Sequence, residues 1–134
     1  MPPEEPRYGD VRHLPGRSVA DARALVADRL KDEGFGVLTE IDVEATLRQK
    51  LGRAFRPFLI LGACNPQLAE RALTVDPHIG LLLPCNVCIW QDGDGATVAI
   101  ARPEVMFEVA ANPAVEPVMQ EARARLERVA AALI

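Results

Sequence analysis

The run Phe58–Cys64, FLILGAC, is apolar over the length of one strand, and Asn65-Pro66 follows it at once. Asparagine is a preferred helix N-cap, because its side chain accepts from a backbone N–H that the first turn leaves free. Proline fits the first helical position, where no N–H is needed. The chain must therefore pass from strand to helix at this point. Leu68, Ala69, Ala72 and Leu73 then form the expected inner face of a short helix, which Asp76-Pro77 stops.

The flanking segments carry similar punctuation. Met1–Pro6 reads as a flexible tail ahead of a single domain over 7–134, and Arg7–His13 as an edge strand. Ser18, with Asp21 three residues on, caps a helix whose stripe is Val19, Ala22, Val26 and Leu30, and Gly34 closes it. Phe35–Ile41 reads as a strand. Asp42 caps a second helix through Leu51, with Val43, Leu47 and Leu51 on one face and Gly52 at its end. Lys50, Arg53 and Arg56 cluster there, as a solvated helix end or as an anion site. Ile79–Leu83 is an apolar run that is either buried or part of a subunit contact, and Pro84 marks an edge, a bulge or the start of a strand. Val87–Gln91 and Ala96–Ala101, joined by Asp92-Gly93-Asp94-Gly95, form an antiparallel hairpin. Pro103 opens a helical turn to about Ala110. Val115, Val118, Met119, Ala122, Leu126, Val129, Ala130 and Leu133 make the stripe of a last long helix, with Glu121 and Arg125 paired outside.

Helices at both ends and strands between them predict a two-layer α+β domain, with a mainly antiparallel sheet and helices on one face. The uncovered face then needs a partner, and a homodimer supplies one. The net charge of −4 and the aromatic share of 4% argue against nucleic-acid binding, which needs basic patches or stacking platforms. No apolar run reaches the roughly 20 residues of a membrane span. Together with a proline-rich acidic start and an odd cysteine count, this sets cytoplasmic residence as the expectation.

Three segments resemble one family in this order: DEGFGVLTEID (Asp32–Asp42), GACNPQLAERAL (Gly62–Leu73) and IGLLLPCNV (Ile79–Val87). They are similar to the prokaryotic family called domain of unknown function 302, over roughly Arg7 to Ala101. The resemblance implies a curved antiparallel sheet of the TBP-like β-α-β4-α kind, here with extra short helices, and a dimer. It implies no activity, and fold alone assigns none. Cys88 stands where the family more often has an aliphatic residue.

The chemistry concentrates in two Cys-Asn pairs, Cys64-Asn65 and Cys85-Asn86. Cys64 sits at a helix start, where partial positive charge lowers a thiol pKa and would make it a nucleophile or redox centre. The plainer reading is a small buried hydrophobe. Should the two strands pair, Cys64 and Cys85 share a pocket, with Asn65 and Asn86 offering amides to a small ligand. Asn65 also reads as a cap alone, and Asn86 as an edge or turn residue. Cys85-Asn86-Val87-Cys88 is formally CxxC, but on a strand its sulfurs face opposite ways. Cys64, Cys85 and His78 are of the right types for a soft metal but lack a fourth ligand and a spacing motif, so no metal or other cofactor is assigned. His78 otherwise reads as a loop residue, and His13 stands alone. The sequence thus predicts a ligand-binding or redox-sensing domain at Cys64, Asn65, Cys85 and Asn86. A thiol enzyme using Cys64 is one alternative, and a structural dimer with buried cysteines is another.

Overall fold

The computed structural model describes residues 5–134. The expected free tail falls outside the described residues at positions 1–4. Glu5 is held by Arg102 at 2.9 Å. The chain runs β1 (Gly9–Leu14), α1 (Val19–Asp32), β2 (Gly36–Asp42), α2 (Val43–Leu51), β3 (Phe58–Cys64), α3 (Pro66–Val75), β4 (Cys85–Asp92), β5 (Gly95–Ala101), α4 (Pro103–Met106) and α5 (Glu116–Ala131). Tight 3-10 turns occupy Pro77–Leu82, Phe107–Val109 and Pro113–Val115. The result is an α+β domain. Its five-stranded sheet has the order β1-β5-β4-β3-β2, with every pair antiparallel.

The caps form as the sequence requires. Ser18 Oγ accepts from Asp21 N at 3.0 Å, Asp42 from Ala45 N at 2.9 Å and Asn65 Oδ1 from Leu68 N at 3.2 Å. The α5 stripe is buried along its length, and so is that of α1. These helices cover Leu61, Ala63, Val87, Ile89, Val98 and Ile100 of the sheet to form the main core. A second apolar cluster joins Leu68, Ala72, Ile79, Val115, Val118 and Ala122.

Three sequence expectations change. Helix α2 forms, but it buries none of its residues, and Leu51 is 61% exposed. The apolar run Ile79–Leu83 is a 3-10 turn in which Ile79 is buried while Leu81 is 86% exposed. In α3, Leu68 and Ala72 are buried, but Leu73 leaves the inner face for solvent.

Register defines the sheet face turned away from α1 and α5. Directly opposed residues share a face, so the pairs Val11↔Ala99, Ala99↔Cys88, Cys88↔Ile60 and Ile60↔Ile41 make one apolar row across all five strands. A second row holds His13, Thr97, Trp90 and Phe58, in which the Phe58 and Trp90 rings stack at 5.4 Å. A third holds Gly9, Ala101, Asn86, Gly62 and Thr39. None of these positions is Lys, Arg, Asp or Glu, but Asp92 follows Trp90 on the same face and accepts from Thr97, and Thr97 and Gly62 are buried.

Candidate thiol cavity and its groove

Pairing of β3 with β4 sets Ala63 opposite Cys85, one residue from Cys64. Cys64, Asn65 and Cys85 consequently line one cavity of about 30 Å³ at the seam between the two apolar clusters. Its other walls include Phe35, Leu68, Leu83 and Phe107. That volume admits a water or a group of similar size. All three cysteines are free thiols.

Burial pushes the Cys85 thiol up to about 11, and the neighbouring Cys64 adds to the rise. Burial also moves Cys64 upward, against the lowering expected from its place at a helix start. Desolvation in apolar surroundings sets the direction for both thiols. Both groups are neutral thiols near pH 7, the form suited to packing or soft contacts rather than nucleophilic attack.

Asn65 is buried and its amide is engaged at both ends. Besides capping α3, its Nδ2 donates to the carbonyl of Glu33 at 3.4 Å, and Arg125 Nη1 donates to the same carbonyl at 3.0 Å. Gly34, next in sequence, has φ +80, and a Cβ there would come 2.9 Å from Asn65 Nδ2. The Asn65 side chain thus locks the end of α1 to the start of α3. Asn65→Ala is expected to lower stability by about 2 kcal/mol, and Asn65→Asp, which keeps only the cap, by about half of that. Urea unfolding measures both, and an Asn65→Asp variant as stable as the parent would remove the Glu33 contact from this account.

The other predicted site residues lie elsewhere. Asn86 is exposed and pairs with Gly62 in the uncovered face, so it does not join Asn65. Cys88 is on that face too, opposite Ala99 and Ile60, whereas Cys85 packs against the core. The CxxC sulfurs therefore diverge, as strand alternation requires. His78 is bound to Asp76 at 3.0 Å, apart from the thiol cavity. Among the described residues no cluster of three or more His, Cys, Asp or Glu could hold a metal. His13 is not isolated: its Nδ1 lies 3.0 Å from Thr97 Oγ1, which donates to Asp92 Oδ2 at 2.7 Å. That contact needs β1 beside β5, a long-range pairing with no local sequence signal. Lys50, Arg53 and Arg56 are exposed at the end of α2.

Sequence reasoning missed Phe107. This residue lines the thiol cavity and also an open groove of about 580 Å³ between the 103–113 segment and α5. Glu104, Glu108 and Glu116 line the groove. Glu104 Oε2 meets Arg123 at 2.7 Å, while its Oε1 is buried without a hydrogen-bond partner among the described residues. No local pattern marks a phenylalanine as a partition between two spaces.

These features define an α+β domain with a neutral dithiol cavity behind an acidic groove. The chain belongs to the family described as domain of unknown function DUF302, whose model matches residues 12–133. The match continues through α5, beyond the Ala101 limit suggested by the sequence motifs. The chain is similar to a solved structure described as an uncharacterized conserved protein DUF302 from Bacillus stearothermophilus. That similarity has a TM-score of 0.82 and 27% identity, covering 96% of this chain and 97% of the other. No curated protein matches. No helix among the described residues is long and apolar enough to cross a membrane.

Proposed function

We propose that this is a non-catalytic binding domain whose ligand is a small amphipathic cation. The carrying observation is that Phe107 alone is shared by the acidic groove and the Cys64–Cys85 cavity. Rotation of that ring would join the two into a space in the range of ordinary ligand sites, roughly 300–1,000 Å³. An ammonium group would sit toward Glu116, beside Glu104 and Glu108, which already pair with Arg123 and Arg7. The apolar end would pass Phe107 toward the thiols and the walls formed by Leu68 and Leu83. The raised thiol pKa values support binding over nucleophilic catalysis.

The test is labelling of the native reduced protein with methyl methanethiosulfonate, read at each cysteine by peptide mass spectrometry. Benzylamine, an aromatic ring carrying an ammonium, should slow labelling of Cys64 and Cys85 at millimolar concentration and leave Cys88 unchanged. Phe107→Ala should speed Cys85 labelling by about tenfold, because the partition is removed. Unchanged rates in both arms would reject the groove-to-cavity route. Joint loss of the Cys64 and Cys85 labels after hydrogen peroxide, reversed by dithiothreitol, would instead assign redox sensing. In that case the two thiols form a disulfide and give two electrons and two protons to the peroxide, which leaves as water.

A further inference from the structure

We propose that the segment 48–58, which carries the chain from the end of α2 into β3, docks on the surface of an anionic lipid membrane. No Asp or Glu occurs in 45–69, whereas Arg48, Lys50, Arg53 and Arg56 all fall there. Arg48 pairs with Glu44 at 3.8 Å. Lys50, Arg53 and Arg56 have no carboxylate partner among the described residues. Gly52 closes α2 in the left-handed conformation, φ 63, and Arg53 N donates back to the carbonyl of Leu47 at 3.4 Å. That turn holds the basic residues together at one helix end. Every residue in 48–57 is exposed, and α2 buries none of its own. The net charge of −4 would oppose an anionic surface. Charges are screened beyond about 8 Å at physiological salt, however, so a membrane meets the local patch and not the total.

The apolar residues of the segment select lipid as the occupant. Leu51 is 61% exposed and Phe55 44%. The Phe55 and Phe58 ring centroids lie 6.2 Å apart, and Phe58 stacks in turn on Trp90. Three aromatic rings are thus gathered here in a chain that has only four Phe, one Trp and one Tyr. A membrane interface accepts both kinds of side chain at once. Headgroup phosphates meet the cations, while Leu and Phe enter the boundary with the acyl chains. A nucleic acid would use the cations equally, but it gains nothing from an exposed leucine and needs free ring faces on which bases stack. Phe58 and Trp90 turn one face to each other. The acidic turn of Asp92 and Asp94, beyond Trp90, bounds the basic patch on that side.

The test is co-sedimentation of the full chain with vesicles at millimolar lipid. Vesicles of phosphatidylcholine with phosphatidylglycerol should bind it, and vesicles of phosphatidylcholine alone should not. Salt at about 1 M, where screening acts within roughly 3 Å, should release it. Lys50→Gln with Arg53→Gln should weaken binding by about 30-fold. Phe55→Ser should weaken it by about tenfold at unchanged charge. Lys31→Gln with Arg71→Gln makes the same charge change at exposed positions on α1 and α3, and should leave binding within about twofold. All the replaced side chains are exposed, so circular dichroism melts of the variants should match the parent. Failure of the unmodified protein to bind the mixed vesicles overturns the proposal. So does an equal loss in the α1–α3 control, or a Phe55→Ser variant that binds like the parent. A thymidine oligonucleotide bound in place of vesicles, and lost with Lys50 and Arg53, would overturn it too and assign the patch to nucleic acid. None of these outcomes depends on the groove ligand.

Discussion

Gly95→Ala is expected to cost about 3 kcal/mol and to lower the melting temperature by roughly 10 °C. Gly95 opens β5, where the strand meets the end of β1, and it has no exposed surface to yield. A Cβ at this position would collide with the carbonyl oxygen of Leu14 and lie 3.0 Å from Pro15 Cα and 3.1 Å from Gly16 N. All of these are backbone atoms, so no rotamer change relieves the clash. The Leu14 carbonyl also accepts from Arg17 N at 3.4 Å, and that bond closes the turn into α1. Relief would therefore require β1 to move away from β5, straining the Leu14↔Ala96 pairing and the His13–Thr97–Asp92 contacts beside it. Circular dichroism melts of the two proteins decide the matter. A melting temperature within a degree or two of the parent would show that the β1 end is loosely held.

Local chemistry made most of the elements legible from the sequence. Ser18, Asp42 and Asn65 each start a helix because their side chains can accept a first-turn N–H, and each is seen doing so. The α5 stripe was readable because sixteen helical residues present one continuous apolar face. Helix α2 shows where such reading stops. Its stripe of Val43, Leu47 and Leu51 specifies a helix, but periodicity does not say what will cover it. The same limit applied to Leu81: the run was read as buried or as a subunit contact, and a tight turn buries Ile79 while leaving Leu81 in solvent. At the candidate site, the sequence offered Cys64, Asn65 and Cys85 as neighbours on condition that their strands pair, and β3 does pair with β4. It placed Asn86 there by repetition of the Cys-Asn dipeptide, but strand alternation carries Asn86 to the other face. The direction of the Cys64 pKa, for which the sequence offered both a lowering at a helix start and plain burial, is set by the second. A helix start is visible in the sequence, whereas the apolar walls that raise the thiol come from distant segments at Leu83 and Phe107.

Those walls give the thiol pair a thermodynamic signature. The Cys85 pKa rises from an ordinary 9.0 to about 11 in the folded chain. A thiol whose folded pKa lies above its unfolded value holds its proton more tightly in the native state. Its full contribution is then present below the unfolded pKa and is lost as pH rises toward the folded one. Unfolding free energy should accordingly fall by about 2–3 kcal/mol between pH 9 and 11 from this group alone. Cys64 is raised by burial too and adds a loss of the same sign. Other groups titrate in this range, so the discriminating quantity is the difference in slope between wild type and Cys85→Ala. Urea unfolding across pH 8 to 11 should show the wild-type curve descending more steeply, with the two curves converging at the alkaline end. Parallel curves would mean that Cys85 reaches solvent freely and that the cavity is already open. Benzylamine supplies the link to function, because its ammonium is lost over the same range and its protection of the thiols should fade with it. A protein that binds through neutral thiols and an acidic groove would therefore be most stable and most receptive near neutrality, and would lose both properties as pH rises.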